Sequence, residues 1–410
     1  MAASKNPAAA ASEMQNRTRK EKKFDEFEAS LPDPKSPKYE VARASQSGLG
    51  SIFKRIGDLN PFGKAVTKDD TVWLLDNTAF RSSRFQPWQA EYVAAVFERD
   101  PYCKVADVVS NIAHSVGLAD DAAERDTIEE RILPFLWDIR MVRIVKLENQ
   151  GKVVKMTPTN INGISTEVLK VPSADAGRII KTSAVVPRGA NGLLEAKTVY
   201  AGPEGWGIIS DIDDTIKVTL TSDPTGIVET TFADEPTPVS GMPELYAQIK
   251  SHLPEDTPWF YLSASPYNLY PFLRQFREQY FPHGTLILRD FSWKTISGLL
   301  SALTVGTEEY KTDRMKKINS WLPQRKMVAI GDSTQSDPEA YGEIYRLFPG
   351  WVKLILIRKV EDVAAVGLEE KNEPQRFEAA FEGIPREAWH VFTDPSECLQ
   401  IIKDAVAKED

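Results

Sequence analysis

The sequence predicts an α/β protein in which a domain built on a parallel sheet follows a β-sandwich-like domain with a helical insertion. Three observations predict it. From about residue 202, short apolar runs alternate with stretches of helical spacing, the order that gives a parallel sheet covered by helices. Between 141 and 200 the chain shows five short strand-like runs separated by turn signals. Helical periodicity over 101–137 interrupts that β-rich region. With 410 residues, 42% hydrophobic and 27% charged, the chain has the length for two or three domains and an ordinary globular composition.

Residues 1–69 read as a disordered basic tail, rich in Ala, Ser, Pro and charge. Residues 1–68 carry 13 Lys/Arg against 8 Asp/Glu, an excess of +5 in a chain of net charge −9. The start lacks the apolar run of a secretory signal, and the early acids Glu13 and Glu21 argue against a mitochondrial presequence. Ile52, Phe53, Ile56 and Leu59 share one helical face beside Lys54 and Arg55. That face suits a membrane-surface helix or docking on the protein's own core. Asn60-Pro61-Phe62 is the tripeptide that endocytic adaptor domains bind, although three residues also recur by chance.

The β-rich domain is expected over 70–201. It opens with a strand at 71–75, then helices at 88–99, 101–116 and 121–137, with Pro101 suited to a first helical turn. Strands follow at 141–147, 153–156, 164–171, 178–186 and 193–200, with turns at Asn149-Gln150-Gly151, Asn162-Gly163 and Gly189-Ala190-Asn191-Gly192. His114 reads as a packing or capping residue, and the domain as support for the other. The parallel-sheet domain is expected over 202–360, with strands at 206–210, 259–262, 285–288, 326–330 and 352–357. Its helices fall at 242–252, 267–280, 309–321 and 338–348, and a threonine-rich hairpin (218–221 and 226–232) turns at Asp223-Pro224. Residues 361–410 read as a C-terminal helical extension. In it Glu369-Glu370-Lys371 forms a solvated face, and a closing helix spans 395–407.

Composition narrows the function. Net charge −9 argues against nucleic acid as the main partner. Cys103 and Cys398 form no motif and no disulfide framework, which suits a reducing compartment. No apolar run approaches the length of a membrane span.

The chemistry is concentrated at strand ends. The run 206–209 stops in Ser210-Asp211-Ile212-Asp213-Asp214-Thr215. Residues two apart in an extended segment point the same way, so Asp211 and Asp213 converge while Ile212 packs behind them. Two close carboxylates repel unless a cation or shared proton lies between them, which suggests a divalent metal with one acid as nucleophile and the other as proton carrier. An acidic turn is the bland alternative. A calcium loop fails, because Thr215 and Ile216 stand where it needs an acid and a glycine. Ser263 ends the second strand, and Lys311 opens a helical pattern. Gly331-Asp332 ends a further strand, with Asp337 five residues on. Open parallel sheets place their ligands at such strand ends.

This set resembles the haloacid-dehalogenase phosphatase superfamily, with its D-x-D-x-T, strand-Ser, Lys and G-D-x-x-x-x-D motifs. More narrowly, Asp211–Lys217, Tyr261–Pro266, Phe281–Asp290 and Gly331–Glu339 resemble the fungal actin-patch phosphatidate phosphatase family, over about residues 200–360. Lipins share the aspartate motif but have glycine where this chain has Asp214. The resemblance implies a Rossmann-like haloacid-dehalogenase domain and hydrolysis of phosphatidate to diacylglycerol. It implies Asp211 as nucleophile, Asp213 as acid and then base, Lys311 as charge compensator and Ser263 as a phosphoryl hydrogen-bond donor. It also implies Mg2+ held by Asp211, Asp332 and the Asp213 main-chain carbonyl, with Asp337 acting through water. Lys316 and Lys317 are alternatives to Lys311, and Arg289 and Asp290 line the pocket or form an ion pair. A cytoplasmic protein peripheral to membranes, at cortical actin patches, with phosphatidate as its membrane partner, follows from the same resemblance. The alternatives are a phosphatase of soluble or protein phosphates, or an interaction protein on the same fold. The gaps 216–258 and 266–310 hold too little chain for a folded cap, so an open site, able to reach a bilayer, is expected.

Overall fold

The structure, a computed structural model, describes residues 7–39, 63–101, 103–118, 122–290, 296–361 and 368–409. Helices occupy 7–21 and 24–30, with a further turn at 37–39, where a disordered tail is expected. α1 (Pro7–Glu21) and α2 (Phe24–Ser30) meet at Lys23, whose left-handed backbone (φ 56°) turns the chain. Composition misleads here because α1 has no continuous apolar face, with Ala11 and Thr18 its fully buried residues among those described. α2 supplies the anchor instead, with Phe24 fully inside the core. The 51–59 apolar face and Asn60-Pro61-Phe62 lie outside the described residues.

The next part contains β1 (Lys64–Ala65), β2 (Asp70–Leu74), β3 (Asn77–Phe80), β4 (Gln89–Pro101), α3 (Val105–Ser115) and α4 (Ala122–Leu136). It continues through β5 (Trp137–Ile139), β6 (Arg143–Ile144), β7 (Lys146–Asn149), β8 (Lys152–Lys155), β9 (Ile164–Lys170), β10 (Ile179–Val185), β11 (Asn191–Leu193) and β12 (Glu195–Tyr200). Ten strands bond into one sheet, β11-β2-β4-β3-β12-β10-β7-β8, with β5 and β9 also on β4. Hydrogen bonding runs through all ten strands because β4 pairs with four of them, and side chains of β2 and β4 share one core with those of β7, β10 and β12. The expected helix over 88–99 is this strand. Ala90, Tyr92, Ala94 and Val96 face one core, and Ala95 and Phe97 face another. A strand apolar on both faces loses its alternation and imitates helical spacing. His114 is exposed at the end of α3 and neither packs in the core nor caps.

The last part is a six-stranded parallel sheet in the order β15-β14-β13-β16-β17-β18, which makes the strand ending at Asp211 central. Its strands are β13 (Gly205–Asp211), β14 (Trp259–Pro266), β15 (Thr285–Arg289), β16 (Arg325–Asp332), β17 (Val352–Arg358) and β18 (Trp389–Phe392). Its helices are α5 (Pro224–Val228), α6 (Met242–His252), α7 (Tyr270–Tyr280), α8 (Ile296–Thr304), α9 (Thr307–Trp321), α10 (Asp337–Leu347), α11 (Leu368–Lys371), α12 (Pro374–Ala380) and α13 (Cys398–Glu409). The expected 218–232 hairpin is instead α5 followed by one π-helical turn, Glu229–Ala233. Asp214 takes the main-chain N–H groups of Thr219, Leu220 and Thr221, which removes them from strand pairing. β18 is an edge strand absent from the sequence reading, since four residues are too few to show a period. Among the described residues no helix is long and apolar enough to cross a membrane.

The two sheets share one wall. Buried Asp76 faces Arg277 (3.0 Å) and Arg274 (3.3 Å) of α7. Phe80 stacks on Trp321, and Trp73 and Phe97 belong to the same core as Trp206 and Ile208.

Candidate active site

Asp211 ends the central strand, and the left-handed backbone of Asp214 (φ 60°) turns the chain just beyond it. That turn is built by Asp214, whose carboxylate accepts three main-chain N–H groups and the Thr221 hydroxyl. Asp214 is thus spent on the backbone. Asp213 turns inward, where its carboxylate accepts hydrogen bonds from Ser263 Oγ (2.5 Å) and Thr219 Oγ1 (2.9 Å). Ser263 therefore points at Asp213 from the neighbouring strand β14.

Asp332 ends β16 on the other side. Thr215 Oγ1 donates to Asp211 Oδ2 (3.1 Å) and lies 3.3 Å from Asp332 Oδ2, bridging the two strand ends. Asp337 starts α10 and folds back so that its Oδ2 accepts the Asp332 N–H at 2.9 Å. Gly331 makes the fold-back possible, since a Cβ there would lie 2.6 Å from Asp337 Cγ. Lys311, one turn into α9, sits 2.8 Å from Asp211 Oδ1, touches Asp337 and donates to Gln335 Oε1 at 3.0 Å. Lys316 and Lys317 face away, to Glu343 and Glu91. Arg289 donates to the carbonyls of Val305 and Gly306, while Asp290 pairs with Arg314, so these two do not pair with each other.

Carboxylate oxygens of Asp211, Asp332 and Asp337 lie within 4.8 Å of one another, all buried. Burial lifts the Asp211 carboxyl well above the ordinary range, with the neighbouring acids adding to it against Lys311. Burial and Asp337 push Asp332 up to about 6, and burial raises Asp213. Burial alone would lower Lys311, but Asp211, Asp337 and Asp332 outweigh it and hold it protonated. The arrangement is short of positive charge. Asp211 Oδ1 accepts no aligned hydrogen bond despite its burial. Hard oxygen donors with an unspent lone pair fit a divalent cation such as Mg2+.

Residues 206–359 match the description "Phosphatidate phosphatase APP1, catalytic domain". The chain is 31% identical over 181 residues to phosphatidate phosphatase APP1 of Saccharomyces cerevisiae, across 42% of this chain and 30% of that protein. It is 27% identical over 214 residues to an uncharacterized protein of Schizosaccharomyces pombe, across 51% of this chain and 32% of that one. The matches thus span about a third of these relatives' length. Residues 206–359 are thus similar in sequence to the catalytic domain of APP1.

The APP1 catalytic segment contains all six expected site residues, and the fold brings them together. Two cations beyond it were missed by the sequence reading. Arg376 of α12 clamps the loop after Asp332, donating to the carbonyls of Ser333 and Gln335 and pairing with Glu339. Lys371 is buried, which corrects the solvated-face reading at that residue while Glu369 stays exposed; it donates to Ser222 Oγ at 3.2 Å. Glu-rich flanks hid it, and no periodicity marks so short a helix.

The site is also enclosed where an open one is expected. Asp211, Asp213, Ser263, Lys311, Asp332 and Asp337 are each at most 3% exposed. Among the described residues of the matched segment no cap is inserted; α1 lies across its mouth. Gln15 Nε2 donates to Ser336 Oγ (2.9 Å) and Thr307 Oγ1 (3.0 Å), and Arg19 donates to Thr304 Oγ1 (2.6 Å). A small cavity remains beneath, with Gln15 and Arg19 on one side and Thr221, Thr334, Gln335 and Lys371 on the other.

Proposed function

We propose that this protein is a magnesium-dependent phosphatidate phosphatase with a haloacid-dehalogenase-like catalytic domain. The convergence of Asp211, Asp332, Asp337 and Lys311 at the ends of a parallel sheet, within the APP1 segment, carries the reading. Asp211, Asp332 and Asp337 would hold the ion, with the main-chain carbonyl of Asp213. When bound it would withdraw charge from the phosphoryl oxygens.

Asp211 attacks phosphorus in line, forming an aspartyl phosphate as the bond from phosphorus to the glycerol oxygen breaks. Asp213 gives its proton to that leaving oxygen, a role that its raised affinity for protons favours. As a carboxylate it then takes a proton from the water that attacks the aspartyl phosphate, releasing phosphate and restoring Asp211. Ser263 and Thr219 fix Asp213 between these two tasks. Lys311 balances the charge of Asp211 before attack and of the phosphoryl group after it. An interaction protein on this fold would have no need to retain all four groups in contact. Cortical, endocytic placement is part of the reading and rests on the family resemblance and on Asn60-Pro61-Phe62.

Purified protein is to be assayed on phosphatidate in mixed micelles, a nucleotide, a phosphopeptide and p-nitrophenyl phosphate, with magnesium and with chelator. Turnover highest on phosphatidate and lost in chelator is expected. Preference for a soluble ester or a phosphopeptide overturns the substrate, and full activity in excess EDTA overturns the metal.

A further inference from the structure

We infer that α1 is a removable roof that shuts the catalytic cavity in the free protein and is drawn off by an anionic bilayer. The inference rests on the phosphatidate reading, because a lipid phosphate must reach groups that are at most 3% exposed. Something has to move, and α1 is built to do so. Its hold on the rim is polar: Gln15 on Ser336 and Thr307, Arg19 on Thr304, and Arg17 on Glu370 at 2.6 Å. Among its described side chains only Ala11 and Thr18 are fully buried, while Ala8, Ala10, Met14, Gln15 and Arg19 are half-buried. Hydrogen bonds of this kind are weak once water can replace either partner. α2 differs, since Phe24 is fully buried and fixes the chain just past the left-handed turn at Lys23. α1 can therefore leave while α2 stays.

Charge identifies the partner. Arg17, Arg19, Lys20, Lys22 and Lys23 fall within seven residues, with Glu21 as the one acid among them. Arg17, Lys20 and Lys23 are exposed in the closed state. Two of the five, Arg17 and Arg19, also latch the roof to the rim. A negative lipid surface competes for those two and attracts the other three, so binding it and staying closed exclude each other.

The test uses the full chain, with spin labels at Ser12→Cys on α1 and Glu343→Cys on α10 to read their separation. Q15A/E370Q weakens the latch but keeps every basic residue. It should lengthen and broaden the label distance, and raise p-nitrophenyl phosphate turnover by up to about tenfold, as when a state populated near a tenth becomes the main one. Phosphatidylserine–phosphatidylcholine vesicles without phosphatidate should do the same to the wild type, whereas phosphatidylcholine alone should not. Charge reversal in K20E/K22E/K23E should abolish the vesicle response and leave vesicle-free turnover unchanged. An unaltered label distance in Q15A/E370Q or on anionic vesicles overturns the inference. So does loss of turnover in Q15A/E370Q with an unchanged melting temperature, which would make α1 part of the site. The distance readout needs no catalysis, so a failed phosphatidate assay does not imitate either result.

Discussion

Replacing Asp332 by asparagine should abolish turnover and yet stabilise the metal-free protein at alkaline pH. Asp332 is fully buried, and burial with the charge of Asp337 raises its carboxyl from 3.8 to about 6. That rise of roughly two units corresponds to ~3 kcal/mol at about 1.4 kcal/mol per unit. The folded state holds the proton more tightly than the unfolded chain does. The stability it brings is complete below about pH 4 and lost as pH rises through about 6. At pH 8 without metal the wild type therefore carries the full penalty of an ionised Asp332, and D332N does not. The amide oxygen can still accept from the Thr334 N–H and hydroxyl, at a loss of ~1 kcal/mol for bonds no longer charge-assisted. A net gain of ~2 kcal/mol, or a few degrees in Tm, remains at pH 8 and disappears near pH 5. Thermal melts of both proteins at pH 5 and 8, in EDTA and in magnesium, read this directly. Magnesium should raise the wild type and leave D332N nearly unmoved. A lower melting temperature for D332N at pH 8 in EDTA, or equal magnesium stabilisation of both proteins, would refute the reasoning.

D211N and D213N should each lower kcat at least about a thousandfold in steady-state assays with circular dichroism unchanged, since an amide can neither attack phosphorus nor carry the proton. Retention of most activity in either variant removes that residue from its role. K371M should lower kcat/KM about ten- to a hundredfold, with K371R partly restoring it, because Lys371 brings a buried positive charge to the cavity beside Thr334. Wild-type kinetics in K371M would show that the charge is not used.

The clustered acids were legible because apolar strands fix their ends. Ile208 and Ile209 bury β13 and leave Asp211 at its tip, and Val328 to Ile330 do the same for Asp332. Lys311 could be separated from Lys316 and Lys317 only by the turn of α9, which the sequence leaves open. Long-range contacts hid the rest. Nothing local marks Arg376 as the clamp of a loop some forty residues earlier, or Gln15 as a neighbour of Ser336. β4 was misread because tertiary burial on both faces erased its period, and α1 because its order comes from a polar rim that no composition reveals.

The wall shared by the two sheets bears on whether the matched segment can stand alone. Arg277 and Asp76 are each about 1% exposed and 3.0 Å apart, one on either side of the boundary near residue 202. Removing Asp76 with the sheets in place strands a buried guanidinium, at a cost of about 3–5 kcal/mol, and parting the sheets lays bare the aromatic faces of Trp73 and Phe97. That is on the order of the whole net stability of a domain. Residues 206–359 alone would lose this buried partner and expose apolar surface, so the segment is expected to be less stable without the sheet that precedes it.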